Sequence, residues 1–401
     1  MIERPEYIEK LKRYKDKNLI KVVTGIRRCG KTVLLFELYK NYLISIGVQE
    51  DHIICVNLEN VKNESLRKPK ELYDYINTKR VDRAKYYVMI DEIQYVNPFE
   101  DLLNSLKNDD FDVYVTGSNS KMLSGEINTA LRGRSIEIKV FTLSFKEYYS
   151  YVGGDRNKAF NDYMIYGGFP AVATEEDIKF KTDYLEMLEE TVATRDVIEK
   201  NKVRNIQAFK ETYNFLCSNI GSLISAKKIT DTLKTNAFKT ITADTIGNYL
   251  EWLCQAFLFI KVYRYDIKGK SYLKTLNKYY ATDMGLRNTK LNFRQLEPTH
   301  TLENIIFTEL LRRGYRVDIG KNREKEIDFI ATDMEETFYI QVAYSILDSN
   351  KKAQELSSFK NLDDGYRKIV ITMDNDPFTQ LEKGYKKINA IDFLLGSVSL
   401  S

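Results

Sequence analysis

Over the first 150 residues, short apolar runs alternate with helical stretches. Runs at 19–24, 53–58, 86–90, 113–116 and 136–141 are long enough for buried strands, and 32–43 and 99–106 repeat apolar residues at helical spacing. That rhythm predicts a parallel α/β sheet. From about 155 to 290 the period becomes mainly helical, as at 184–192 and 209–216. From 295 onward a helix at 301–313 precedes strands at 315–318, 326–331 and 338–343. A helix at 351–359 and a strand at 368–372 follow, an α/β unit of its own. The expected division is a core at 1–150, a helical lid at 151–200, a basic region at 201–294 and a last domain at 295–401.

The chain has 401 residues, enough for two or three domains. With 43% hydrophobic residues it has material for real cores, which excludes a wholly disordered chain. Four widely spaced cysteines without a C-x-x-C, and two histidines, argue against a disulfide framework or a zinc centre. The charged N-terminus is no secretory signal, and the longest apolar run, 252–260, is far short of a membrane span. A soluble, cytoplasmic protein is expected. The net charge of +4 hides an asymmetry. Residues 201–300 carry 16 Lys and Arg against 7 Asp and Glu, a surplus of nine, and the remainder is negative.

The first apolar run ends in GIRRCGKT, residues 25–32, which fits G-x-x-x-x-G-K-[ST] between a strand and a helix. Gly25 and Gly30 let successive N–H groups curl around an anion, and the helix start adds its dipole. Arg27, Arg28, Cys29 and Val33 complete the expected nucleotide-contacting stretch. Lys31 is expected on the outer phosphates and Thr32 on Mg²⁺. The run at 86–90 ends in Asp91-Glu92, so Asp91 is expected at the metal and Glu92 as the base that activates water. Beyond the run at 113–116, Ser118 or Asn119 is placed to orient water or sense the phosphate. Arg132 or Arg134 is a candidate arginine finger for a neighbouring subunit.

In the basic segment, Ser225 and Thr242 are expected to cap two short helices joined by TNAFKTI, a helix-turn-helix candidate followed by two strand-like runs resembling a wing. Lys227, Lys228, Lys239, Lys268 and Lys270 are candidate contacts to a phosphate backbone, with protein docking as the competing use.

Several pieces together carry a family. VVTGIRRCGKTVLL, VMIDEIQ, VTGSNS, LRGRSIEI followed by LSFKEY, YGGFPAV, KYYATDMGLRN, and EIDFIA with YIQVAYS resemble the prokaryotic AAA+-type P-loop ATPases with a C-terminal domain of unknown function. The likeness implies an AAA+ core, a helical lid, a winged-helix-like segment and a restriction-endonuclease-like tail. It implies ATP rather than GTP, places Gly168 and Pro170 near base or phosphates, and sets Arg4 and Pro5 beside the adenine. For the tail it sets Glu303, Asp328 and Gln341 in nuclease order. The lysine expected at 343 is Ala343, and none lies between Lys325 and Lys351, so an inactive tail is expected. The leading expectation is an ATP-binding, ATP-hydrolysing switch with Mg²⁺, acting on DNA or a protein partner and able to self-associate. A non-catalytic nucleotide-bound interaction module and an ATP-gated nuclease are the alternatives.

Overall fold

In the computed structural model the five runs of the first segment become β1 (Ile20–Thr24), β2 (Ile53–Asn57), β3 (Tyr87–Asp91), β4 (Asp112–Gly117) and β5 (Ser135–Lys139). The structure describes residues 1–118, 131, 133–235, 238–294, 297–362, 364–376 and 379–400, with the backbone alone at 274–275. The chain divides into two units, Met1–Thr142 with Gln255–Phe257, and Leu143–Cys254 with Leu258–Ser401.

In the first unit all five strands are parallel, in the order β2-β3-β4-β1-β5. β1, β3 and β4 are buried along their whole length, which is why they read as unbroken apolar runs rather than alternating ones. Every second residue, such as Val22, Ile90, Val113 and Val115, packs with Leu72, Ile76, Leu102 and Leu106 from two helices, Pro69–Thr78 and Glu100–Asn108. Lys21 is the exception inside β1. Its ammonium is fully buried and paired with the Asp112 carboxylate, which also accepts from the Tyr114 hydroxyl at 2.8 Å. Burial pulls the Lys21 ammonium below its usual range, and the Asp112 charge opposes this.

The first compact unit ends at Thr142. The helix Phe145–Val152 starts on a capping box, in which Ser144 and Glu147 satisfy each other's backbone N–H groups, and Phe145 packs on Phe160 and Tyr163 of the second unit. LSFKEY is thus a helix start.

In the second unit the helices Arg156–Tyr166, Ile178–Thr191, Ile206–Ser218, Ala226–Thr235 and Ala243–Gln255 precede a hairpin, β6 (Phe259–Asp266) and β7 (Ser271–Ala281). Ser225 caps at Lys228 N (3.1 Å) and Thr242 at Thr245 N (3.2 Å). Ile224 bridges Asn277 beside the hairpin. The helix Pro298–Arg312 then leads to β8 (Arg316–Asn322), β9 (Lys325–Thr332), β10 (Thr337–Val342), β11 (Arg367–Thr372) and β12 (Lys386–Asn389). One seven-stranded sheet, β12-β11-β10-β9-β8-β6-β7, contains both the hairpin and these strands. The expected boundary at 294/295 therefore runs through a sheet. β6 runs parallel to β8 from Arg264↔Ile319 to Asp266↔Lys321, a long-range pairing with no local signature. No helix of the described residues is long and apolar enough to cross a membrane.

Candidate functional site

β1 delivers the chain into the loop at 25–30. Gly25 has φ +152°, and a Cβ there would stand 2.1 Å from the Val140 carbonyl oxygen and 3.0 Å from Cys29 Sγ, so only glycine fits. Gly30, with φ +99°, ends the loop. Lys31 opens a helix that runs through a π-helical turn, Leu34–Tyr39, to Ser45. Arg28 also sits at positive φ. Two side chains brace the loop from below. The Cys29 thiol points at the Val140 carbonyl (3.6 Å), and buried Arg4 donates to Cys29 O (3.2 Å) and Phe141 O (3.0 Å). Arg4, expected beside a base, is thus engaged with the loop's own backbone. Arg27 points to Glu59 (3.3 Å), and Val33 is 40% exposed. The Lys31 ammonium folds into the loop, donating to Gly25 O and Ile26 O at 3.0 Å each.

The strand neighbouring β1 on the β3 side is β4, and Thr116 at its end holds Asp91 and the backbone of Glu92. Asp91 is 2% exposed. Its Oδ2 accepts from Thr32 Oγ1 at 2.9 Å, across 59 residues of sequence, and its Oδ1 accepts from Thr116 Oγ1 at 2.6 Å. Burial pushes the Asp91 carboxyl up, and the Thr116 hydroxyl is the leading opposing influence. Glu92 adopts a left-handed conformation, φ 56°, and its N–H donates to the same Thr116 oxygen at 2.9 Å. Its carboxylate accepts from Ser118 Oγ (3.1 Å) and from the Gln94 amide. Thr116 and Gln94 were not singled out in the sequence. Thr116 had a signal: it ends the apolar run preceding Ser118, and in a parallel sheet strand ends share one rim.

Asn119 and Arg132 lie outside the described residues. Arg134 is exposed just before β5, with Nη1 3.4 Å from Asn104 Oδ1. Gly168 and Pro170 belong to the second unit. The Gly168 N–H donates to Asp283 Oδ2 (2.8 Å), its carbonyl accepts from Leu143 N (2.7 Å), and a Cβ would meet Leu143 O at 2.4 Å. Pro170 heads the short helix Pro170–Ala173. YGGFP and ATDMG, two separately noticed motifs, therefore meet at Asp283.

The second unit holds a buried ionic cluster where the tail residues were expected. Glu303 accepts from Tyr280 Oη at 2.5 Å and from Lys278 Nζ at 2.9 Å, and Lys278 also reaches Glu326 at 2.7 Å. Asp328 Oδ2 accepts from Val342 N, and Gln341 Oε1 accepts from Asp328 N, both at 2.8 Å. Burial works against the Glu303 charge, but Lys278 with His300 and Tyr280 holds its carboxyl down at about 2. Burial and the Glu303 charge push Asp328 well above the carboxylate range. No lysine lies between Lys325 and Lys351, and the ammonium here comes from Lys278 of β7. The absence of a lysine near 343 therefore does not leave the cluster without one. Among the described residues no group of three or more His, Cys, Asp or Glu side chains is arranged to hold a metal ion.

The five lysines of the basic segment, Lys227, Lys228, Lys239, Lys268 and Lys270, are all exposed. None forms an ion pair with a described residue.

Comparison with known proteins agrees with the first unit's architecture. Residues 17–149 match the model of an AAA domain, and residues 157–297 match a domain of unknown function, DUF8612. An uncharacterized protein of Haemophilus influenzae is 37% identical over 98% of this chain and 99% of its own length. Another, of Methanocaldococcus jannaschii, is 31% identical over 94% of this chain and 85% of its own. Among solved structures, the Aeropyrum pernix ORC1 protein in complex with DNA covers 73% of this chain and 93% of its own at 12% identity and TM-score 0.31. Cdc6p from Pyrobaculum aerophilum has the same coverages and TM-score at 10% identity. The near-complete alignments, with an AAA domain at 17–149, place the chain in the family that includes these Haemophilus influenzae and Methanocaldococcus jannaschii proteins.

Proposed function

We propose that the chain binds Mg·ATP at the loop 25–32 and hydrolyses it, as a switch acting on DNA or a protein partner. The observation that carries this is the Thr32–Asp91 contact at 2.9 Å, which joins the end of the phosphate loop to the end of β3. An all-oxygen pair with a buried carboxylate short of positive charge fits a hard cation, whose remaining ligands are phosphate oxygens and water. When bound, Mg²⁺ would neutralise charge on the phosphates.

The remaining roles fall to this chain's own groups. Lys31 leaves Gly25 O and Ile26 O for the outer phosphates. Loop amides and the helix start at Lys31 hold the anion. Glu92, anchored at its N–H by Thr116, takes a proton from water. Ser118 and the Gln94 amide fix its carboxylate. Arg134, exposed, is offered to the nucleotide of a neighbouring copy. The helices 226–235 and 243–255, the Ile224 bridge and the β6–β7 hairpin form a winged-helix arrangement, and its free lysines support contact with a nucleic-acid backbone.

Calorimetry with Mg·ATP and single-turnover phosphate release, each with and without DNA, test this reading. Release above background, increased by DNA, is expected. Nucleotide binding without release would instead select the non-catalytic module.

The ATP-gated nuclease is the reading that the Lys278–Glu303–Asp328 cluster supports least, because a carboxyl held protonated by burial and by Glu303 is a poor Mg²⁺ ligand. Mg²⁺-dependent nicking of plasmid that disappears in Asp328→Ala would restore it.

A further inference from the structure

The helix Ile178–Thr191 carries two apolar faces where an ordinary surface helix carries one. Its inner face is complete. Leu185 is 0% and Leu188 1% exposed, and the buried Glu189 carboxylate takes the Lys290 ammonium at 3.2 Å. The second face is open. Phe180 is 45% and Met187 50% exposed, with Tyr184 half-buried between them. The Phe180 and Tyr184 rings stack, their centres 6.0 Å apart and their planes 12° from parallel. Thr191 comes next, and its hydroxyl is already satisfied by the Met187 carbonyl at 2.7 Å.

Phe180, Tyr184, Met187 and Thr191 follow one another at steps of 4, 3 and 4 residues. On a helix such positions form one narrow strip, here about 16 Å long at 1.5 Å per residue. The same spacing makes the seam into which a second helix sets its side chains. The strip therefore suits a helix rather than a strand or a loop.

Its border describes the occupant. Between 176 and 190 five acids are exposed, Glu176, Asp177, Asp183, Glu186 and Glu190, against Lys179 alone among the bases. Lys179 is already tied to Asp183 at 3.1 Å. Helical periodicity puts Asp183, Glu186 and Glu190 beside the strip, on the side away from Leu185 and Leu188. Glu186 and Glu190 stand one turn apart, a like-charge spacing that weakens a helix, and neither has an ion-pair partner among the described residues. This charge repels a nucleic-acid backbone and an anionic membrane surface alike. A second copy brings the same charge, so self-pairing is opposed as well. A helix of opposite sign meets both the apolar strip and its border.

We propose that this face docks a basic amphipathic helix of a partner protein. The partner's apolar side chains lie among Phe180, Tyr184 and Met187, and its lysines or arginines run along Glu186 and Glu190. The proposal rests on the protein-partner side of the function proposed above, and not on the nucleotide site.

The test uses the full chain and three labelled peptides of about 18 residues, five helical turns, read by fluorescence anisotropy. The first has leucines at the seam spacing and lysines on the remaining face. The second replaces every lysine by glutamate. The third scrambles the first. Wild type is expected to bind the first and neither of the others. Phe180→Ser and Met187→Ser alter exposed positions, and each should weaken binding roughly 5- to 30-fold, the range for losing one apolar anchor, with the urea midpoint unchanged. Glu186→Lys combined with Glu190→Lys should shift the preference to the glutamate peptide, a gain that unfolding cannot imitate. Equal binding of the scrambled peptide would overturn the proposal, as would wild-type affinity in Phe180→Ser combined with Met187→Ser. Binding of no peptide overturns it too and leaves the nucleotide reading standing. A dimer in sedimentation that Phe180→Ser turns into a monomer overturns it in favour of a second copy.

Discussion

Thr116→Val probes the hydroxyl that joins the Asp91 carboxylate to the Glu92 backbone N–H. Valine has nearly the same shape, and residue 116 is fully buried, so no cavity forms. Two hydrogen bonds disappear: the donation to Asp91 at 2.6 Å and the acceptance from Glu92 N at 2.9 Å. A bond to a charged acceptor contributes about 1.5–3 kcal/mol, and stranding the Glu92 N–H costs about 1–3 kcal/mol more. Relaxation of Asp91 toward Thr32 returns part of this, so a loss of about 3 kcal/mol is expected, tolerable within a total stability of about 5–15 kcal/mol. The same hydroxyl is the leading influence holding the Asp91 carboxyl down against burial. Without it the carboxyl rises further, so Mg·ATP affinity falls, and falls more at pH 6 than at pH 8. Urea unfolding gives the stability, and calorimetry at the two pH values gives the affinity. Thr116→Ser keeps both bonds and should stay close to wild type in affinity. A Thr116→Val protein within about 0.5 kcal/mol of wild type, with unchanged affinity at both pH values, would refute the assigned tie; that margin is the scatter expected of a surface substitution.

Lys31→Ala removes the ammonium now held by Gly25 O and Ile26 O; calorimetry should show nucleotide affinity lower by roughly 10- to 150-fold, the worth of one charged hydrogen bond. Glu92→Gln should keep nucleotide binding and lose roughly 10²- to 10⁴-fold in turnover, and ATPase rates equal to wild type would remove Glu92 as the base. Asp328→Asn tests the ionic cluster. A carboxyl whose folded pKa is raised resists losing its proton, so its ionisation lowers stability as pH climbs from its unfolded value through the folded one. The asparagine oxygen can still accept from Val342 N, so the variant should match wild type in acid and become the more stable near neutrality. Melting curves across pH settle it; a variant less stable than wild type at pH 8 contradicts the assignment.

How much the sequence discloses depends on how local the cause is. β1, β3 and β4 were legible because strands buried on both faces leave unbroken apolar runs, β2 and the edge strand β5 from shorter apolar stretches, and the glycines and lysine of the loop follow from backbone chemistry within eight residues. Caps at Ser225 and Thr242 were legible for the same reason. Long-range matters were not. Arg4, set beside the adenine by the family likeness, instead holds the backbone at Cys29 and Phe141, and nothing in the run at 19–24 names Asp112, 91 residues away, as the partner of Lys21. Lys278 could not be assigned to Glu303 without knowing that a hairpin joins the last sheet. Gly168 and Asp283 were noticed in separate motifs, and only the fold shows that one serves the other.

The sheet shared by the hairpin and the final strands sets limits on how this protein can be taken apart. A cut after residue 294 would leave Arg264–Asp266 and Ile319–Lys321 as two raw borders, each with open backbone groups ready to recruit stray chains. Fragments made there should precipitate or pair with one another. Any dissection meant to study the lysine-rich region must carry the tail along with it.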